Sequence, residues 1–202
     1  MAKQKSIHIR ESILESATKV FAKTGFYKAK ASEIAAKANI AVGTIYNYFK
    51  SKDDILIAIF NERIGELNRS AREAIRRVDS SEEKLALLID SAFSMMENDR
   101  GLAEVVTIEL RQSSKFFSSS AISSVIEFLD IVTEVIKEGQ QKGVYRVDID
   151  ARMVALTALG AFENLLHIWV LSDRVPELKS KYDISLQRGR EALKDLLFHA
   201  LR

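Results

Sequence analysis

The chain has 202 residues, 30 Lys/Arg against 28 Asp/Glu, 47% hydrophobic residues and no cysteine. Disulfide and thiolate chemistry are excluded. The polar start MAKQKSIHIR lacks the apolar stretch of a signal peptide, and no run approaches the roughly 20 apolar residues that span a bilayer, so the cytoplasm is the expected compartment.

One Pro, eight Gly and few Val/Thr alternations point to an all-α protein. The small net charge, +2, hides an uneven distribution. Residues 1–52 hold ten Lys/Arg against three Asp/Glu, and residues 78–202 hold 15 against 20. A basic amino-terminal module joined to an acidic remainder is the footprint of a nucleic-acid reader attached to something else. An uneven solvated surface would have the same charge, and the residue pattern decides between the two.

Residues 1–7 read as a frayed end, with Lys3 and Lys5 free to touch a phosphate backbone. Ile9, Ile13, Ala17, Val20 and Phe21 keep helical spacing and predict a helix over 8–23, stopped by Gly25. Phe26 opens a connector that should fold back on the same core. A second helix is expected over 31–38, preceded by Lys30, a poor partner for free helical N–H groups and the wrong sign for the dipole. Either Ser32 caps a helix that starts later, or Lys30 is kept because a phosphate lies nearby.

The chain breaks at 39–41 and resumes as a short helix over 42–48. Ile34, Ala35, Ile40, Ile45 and Phe49 can be buried, leaving Thr44, Tyr46, Asn47 and Tyr48 free to face a groove, as a helix-turn-helix requires. Ala41, Val42 and Gly43 are small enough to let this helix sink toward base edges. Thr44 can reach a phosphate or a base, and Asn47 can pair with adenine in bidentate fashion. Tyr48, Lys50 and Lys52 suit phosphate positioning. Singly, Tyr46 or Tyr48 would be an ordinary half-buried ring; with the lysines that follow, the DNA-reading interpretation is stronger.

Ser51, Asp53 and Asp54 start a long helix, about 52–77, whose apolar stripe exceeds what a three-helix head can cover, making it the connector to a second domain. The expected organisation is a head over 1–52, this connector, and a body over 78–202. In the body, helices are expected from 82 to 97, from 102 to 110, from 121 to 141, from 151 to 171 and from 184 to 201, with a loop over 173–181. The 151–171 segment is apolar on more than one face, and Ala158, Gly160 and Ala161 would allow close approach. With one flanking helix left, these last two helices are best covered by a second copy, a four-helix bundle that makes a homodimer. The alternative is the central core helix of a monomer.

Gly25-Phe26, Ile34-Ala35 and the run Gly43-Thr44-Ile45-Tyr46-Asn47-Tyr48-Phe49-Lys50-Ser51-Lys52 resemble the amino-terminal domain of the TetR family of bacterial transcriptional regulators. The resemblance implies an all-α homodimer with a three-helix DNA-binding head and a larger helical domain for ligand binding and dimerisation. Such proteins usually repress by occupying an operator and leave it when a small molecule binds. It places groove contacts on Val42, Gly43, Thr44, Tyr46 and Asn47 and phosphate contacts on Tyr48 and Lys52. Lys30 stands where the family often has threonine.

Lys84-Leu85-Ala86-Leu87, Leu102-Ala103, Glu109-Leu110-Arg111-Gln112-Ser113 and the segment from Glu163 to Val170 resemble, within that family, the regulators of fatty-acid degradation that answer long-chain acyl-CoA. That resemblance implies an acyl chain lying between body helices. Phe93, Met96, Val106, Leu110, Phe128, Leu129, Phe162, Leu166 and Trp169 could line such a space, and each could equally be core. Arg111 could meet a phosphate or carboxylate, or fasten its own helix end. Glu163 would need a partner if buried, with Arg111 and His167 as candidates.

An enzyme is not expected: three scattered histidines, no cysteine, no ligand-spaced carboxylates and no glycine-rich phosphate loop are available. No cofactor or metal is expected. A helical scaffold would explain the body but not the head, and a nonspecific DNA binder the charge but not the body. The competing reading is a repressor of the same family that answers drugs or other hydrophobic compounds.

Overall fold

The computed structural model describes residues 2–109 and 121–202, which form two compact units. One contains residues 2–63 with 101–109; the other contains 64–100 with 122–202. The division thus falls inside the long helix rather than at its ends, and a short body segment groups with the head.

In the first unit, α1 (Ala2–Thr24) packs on α2 (Ala31–Lys37), and α2 on α3 (Val42–Tyr48). The helix expected from residue 8 begins at Ala2, in keeping with the high helix propensity of Ala, Lys and Gln in that stretch. Ile13, Ala17, Phe21, Ile34, Ile45, Ile55 and Leu56 are at most about one per cent exposed and make the core. Phe26 turns back onto it, its ring edge-on to Phe21 at 5.4 Å. α1 ends at Gly25 with φ 79°, where a Cβ would be strained. The first half of α4 (Lys52–Ile75) completes the unit: Arg10 pairs with Glu62 and lies 5.2 Å from the Phe49 ring centre.

Residues 101–109 join the same unit. α6 (Arg100–Glu104) runs into a π-helical turn, Val105–Glu109, which packs against α1.

The second unit holds the end of α4, α5 (Ser81–Asn98), α7 (Ala121–Gln141), α8 (Ala151–Ser172), α9 (Pro176–Tyr182) and α10 (Leu186–Leu201). Side-chain caps set three of these starts. Ser80 Oγ accepts from the Glu83 N–H at 3.3 Å, Asp150 Oδ1 from Arg152 at 2.8 Å, and Ser185 Oγ from Arg188 at 3.2 Å. α9 replaces the loop expected over 173–181. Proline sits in its first turn, where the missing N–H costs nothing, and none of its residues is buried. α10 packs on α8 and α5. Asn68 fastens α4 to α7 through Nδ2, donating to the Ser124 carbonyl at 3.0 Å and to Glu127 at 3.1 Å.

By length and average composition α8 is apolar enough to cross a bilayer, as a protein's core helix can also be, although Arg152, Glu163 and His167 interrupt its apolar run. One face builds the interior of this unit. The other exposes Met153 and Leu156 beside Thr157, Gly160 and Asn164, and α10 exposes Leu196.

Candidate nucleic-acid interface and ligand cavity

The turn between α2 and α3 is built by backbone geometry. Asn39 adopts φ 55°, its N–H bonds the Ala36 carbonyl at 3.2 Å, and the Ile40 N–H bonds the Ala35 carbonyl at 3.0 Å. This pair of bonds is the Schellman helix stop, with asparagine where glycine is usual. Asparagine tolerates the left-handed region and a β-branched side chain does not. Asn39→Gly is expected to leave the urea midpoint nearly unchanged, whereas Asn39→Val should cost about 1–2 kcal/mol.

Past that turn, α3 divides cleanly. Ile45 and Phe49 are buried; Val42, Gly43, Tyr46 and Asn47 are exposed; Thr44 and Tyr48 are half-buried. A Cβ added to Gly43 would meet nothing within 4 Å. The fold therefore does not require glycine there, and the open space faces outward.

At the start of α2, the helix begins at Ala31 with Lys30 as its capping residue, so a later start capped by Ser32 is ruled out. The Glu33 carboxylate accepts the Lys30 N–H at 3.0 Å, half of a capping box; lysine has no acceptor for the other half. The Lys30 side chain is exposed, as are Lys28, Lys37 and Lys50.

Lys52 behaves differently from the other lysines. Its Nζ donates to the carbonyls of Phe26 (2.8 Å), Tyr27 (3.2 Å) and Ala29 (2.8 Å), and lies 5.0 Å from the Phe26 ring centre. An ammonium has three protons, and three carbonyls accept them. Its place in the structure is therefore a clasp on the α1–α2 connector, against the expected phosphate contact. Tyr27 and Lys28, which the sequence reading passed over, are exposed on that connector. An aromatic residue beside a lysine was the only available signal.

The second unit holds a small apolar cavity of about 40 Å³, partly open to solvent. That is well below the roughly 300–1,000 Å³ of ligand sites, so the space as it stands is a gap between helices that a larger ligand would have to widen. Leu85, Leu88, Ile89, Ala92 and Phe93 of α5 form one wall and Phe128, Leu129 and Val132 of α7 another. Ala155, Ala158, Leu159 and Phe162 of α8 and Leu193 and Leu197 of α10 close it. Phe93 and Phe162 meet edge to face at 4.9 Å.

Four expected ligand residues, Phe93, Phe128, Leu129 and Phe162, come together here. Met96 and Leu166 are buried but do not line this space. Val106 lies in the π-helical turn of the first unit. Trp169 is the platform for Arg100, whose guanidinium stacks 3.8 Å from its ring centre, donates to the Trp169 carbonyl at 3.3 Å and pairs with Asp173 at 2.5 Å. Leu110 and Arg111 fall outside the described residues.

No titratable group lines the cavity among the described residues. The perturbed groups stand around the α7–α8 connection. Hydrogen bonds from Lys142 and Lys84 lower the Glu138 pKa, and the Arg146 hydrogen bond takes Asp148 down to about 2. Burial raises Tyr145, whose ring packs so closely on Gly139 that a Cβ there would lie 2.1 Å from it. These groups hold the connection together. Among the described residues, no group of three His, Asp or Glu side chains is placed to hold a metal.

Comparison with known proteins agrees with this geometry. Residues 13–59 match the family described as bacterial regulatory proteins, tetR family, and residues 60–200 match the YsiA-like protein, C-terminal region. The chain is 34% identical over 172 residues to the fatty acid metabolism regulator protein of Bacillus subtilis (strain 168), covering 85% of this chain and 86% of that one. Its fold resembles the transcriptional regulator FadR from Bacillus subtilis in complex with stearoyl-CoA, with a TM-score of 0.83 and 32% identity over 95% of this chain and 99% of that one. It also resembles the fatty acid degradation regulator FadR from Bacillus halodurans, with a TM-score of 0.84 and 31% identity over 96% of each chain. The exposed face of α3 and the cavity of the second unit therefore belong to a member of the TetR family, a ligand-responsive DNA-binding transcriptional regulator with no catalytic role.

Proposed function

We propose that this regulator represses genes of fatty-acid degradation and leaves its operator when long-chain acyl-CoA enters the cavity of the second unit. The observation that carries this reading is the wall of that cavity, which is apolar throughout and suits in its chemistry a hydrocarbon chain that parts the helices as it enters. The names of the two similar regulators, one of them bound to stearoyl-CoA, support the same ligand class. Operator DNA is bound by α3 in the major groove, with Val42, Gly43, Thr44, Tyr46 and Asn47 toward the bases and Lys30 and Tyr48 toward phosphates. Two copies associate through the exposed faces of α8 and α10, where Met153, Leu156 and Leu196 would otherwise stay in water. The protein works in the cytoplasm. Ligand shifts a population between an operator-competent arrangement and one that is not.

Native mass spectrometry with and without stearoyl-CoA, with DNA binding followed in parallel, tests this. A dimer that takes up about one ligand per subunit and then releases DNA is the expected result. A dimer that binds DNA and ignores acyl-CoA would turn the reading toward other hydrophobic compounds, which an uncharged wall also admits. The head offers a test in which stability and affinity move in opposite directions. Gly43→Ala should stabilise the fold by about 0.5–1 kcal/mol, since glycine is unfavourable inside a helix. It should weaken operator binding, because the added methyl points into the space a base edge would fill. Asn47→Ala should relax discrimination at one base pair by about 1–3 kcal/mol.

A further inference from the structure

The fourteen described residues that line the cavity are all alanine, valine, leucine, isoleucine or phenylalanine. No side-chain hydroxyl, amide or charge stands among them. The charged groups that neighbour them on α5 and α10 stand behind the wall: Lys194 pairs with Asp90 at 2.6 Å and Arg190 with Glu97 at 2.7 Å, the Arg190 Nε alone being buried without a hydrogen-bond partner on the far side of the Phe93 ring. A polar atom carried into this space gives up its hydration and finds no side-chain partner. An amphiphile must therefore leave its polar end outside and enter tail first.

We infer that the cavity selects its ligand by the far end of the chain, accepting a methyl-terminated hydrocarbon tail and rejecting a chain of the same length with a hydroxyl or carboxylate at that end. This rests on the acyl-CoA reading above and adds a discrimination to it. A regulator built this way answers unmodified fatty acyl groups and stays on its operator in the presence of terminally oxidised ones. The bore is set by the small residues. Ala155 is 2% exposed and lines the space with Ala158, so a larger side chain at either position takes volume from the ligand. Apolar pockets reject an added hydroxyl by about 100-fold, and a terminal carboxylate, ionised at neutral pH, meets a larger barrier.

The experiment titrates the full-length protein with stearoyl-CoA and with octadecanedioyl-CoA, its ω-carboxy counterpart, at pH 7.5. The expected result is at least about 100-fold weaker binding of the dicarboxylic chain. Equal affinities would overturn the selection and leave the acyl-CoA reading standing; failure of both ligands to bind would overturn the reading and the selection with it. Ala155→Leu locates the tail, with Ala158→Leu as a second variant at a less buried position. A folded variant should bind stearoyl-CoA about tenfold or more weakly, because the chain must give up buried methylenes. Unchanged affinity in a folded variant of each would place the tail elsewhere and overturn the inference.

Discussion

Lys52→Ala is expected to lower stability by about 2–3 kcal/mol and to weaken binding to every DNA sequence without changing its salt dependence. The ammonium holds three carbonyls of the α1–α2 connector at 2.8–3.2 Å. Hydrogen bonds to a charged group contribute about 1.5–3 kcal/mol each, and three on one partly exposed lysine are not additive. Without the clasp, the connector that leads into α2 loosens, and α2 sets the position of α3 through the Asn39 turn. Urea denaturation measures the first effect. Binding isotherms at several salt concentrations measure the second. A lysine that neutralised a phosphate would, on removal, reduce the slope of log K against log salt by about one. A reduced slope with unchanged stability would return Lys52 to the phosphate-contact role. Lys52→Arg should rescue little, because a planar guanidinium cannot direct its donors to three carbonyls converging on one nitrogen.

Phe93→Ala should cost about 3–5 kcal/mol and abolish ligand-dependent release of DNA. The side chain is fully buried, forms the edge-to-face pair with Phe162, and supports Arg190, whose guanidinium lies 5.8 Å from the ring centre. Truncation loses the transfer energy of the ring and leaves a larger void that α5 and α8 cannot collapse to fill. It also exposes a paired arginine to the cavity. Denaturant midpoints report the stability loss. Phe93→Leu, which keeps most of the volume, should recover much of the stability but lose the aromatic pairing, worth about 0.5–1.5 kcal/mol. If Phe93→Ala were as stable as the wild type, the ring would not be the structural centre of the cavity wall.

Local patterns in the sequence were enough to identify the head. Ile34-Ala35, the break at 39–41 and the Gly43–Lys52 run all fall within residues 34–52, and α3 sorts its buried and exposed residues as the 3.6-residue period dictates. Where the local signal was absent, the reading failed. α9 carries no buried residue and hence no periodic stripe, and Gln4, Ser6, Ile7 and His8 near the start of α1 are exposed.

The sequence by itself determined the all-α class, the short helix α3 with its outward residues, and the excess of apolar surface on α8. Each depends on side chains adjacent in the chain or one turn apart. Only the tertiary structure decided the fate of Lys52, because the three carbonyls that bind it lie 23 to 26 residues earlier in the chain. Only the tertiary structure, likewise, separated cavity wall from ordinary core. Phe93 and Met96 are both buried on one helix, yet only Phe93, which meets Phe162 of α8, lines the cavity. Apolar residues all look alike in a sequence; whether one faces a neighbour or a void is set by packing between helices that are distant in the chain.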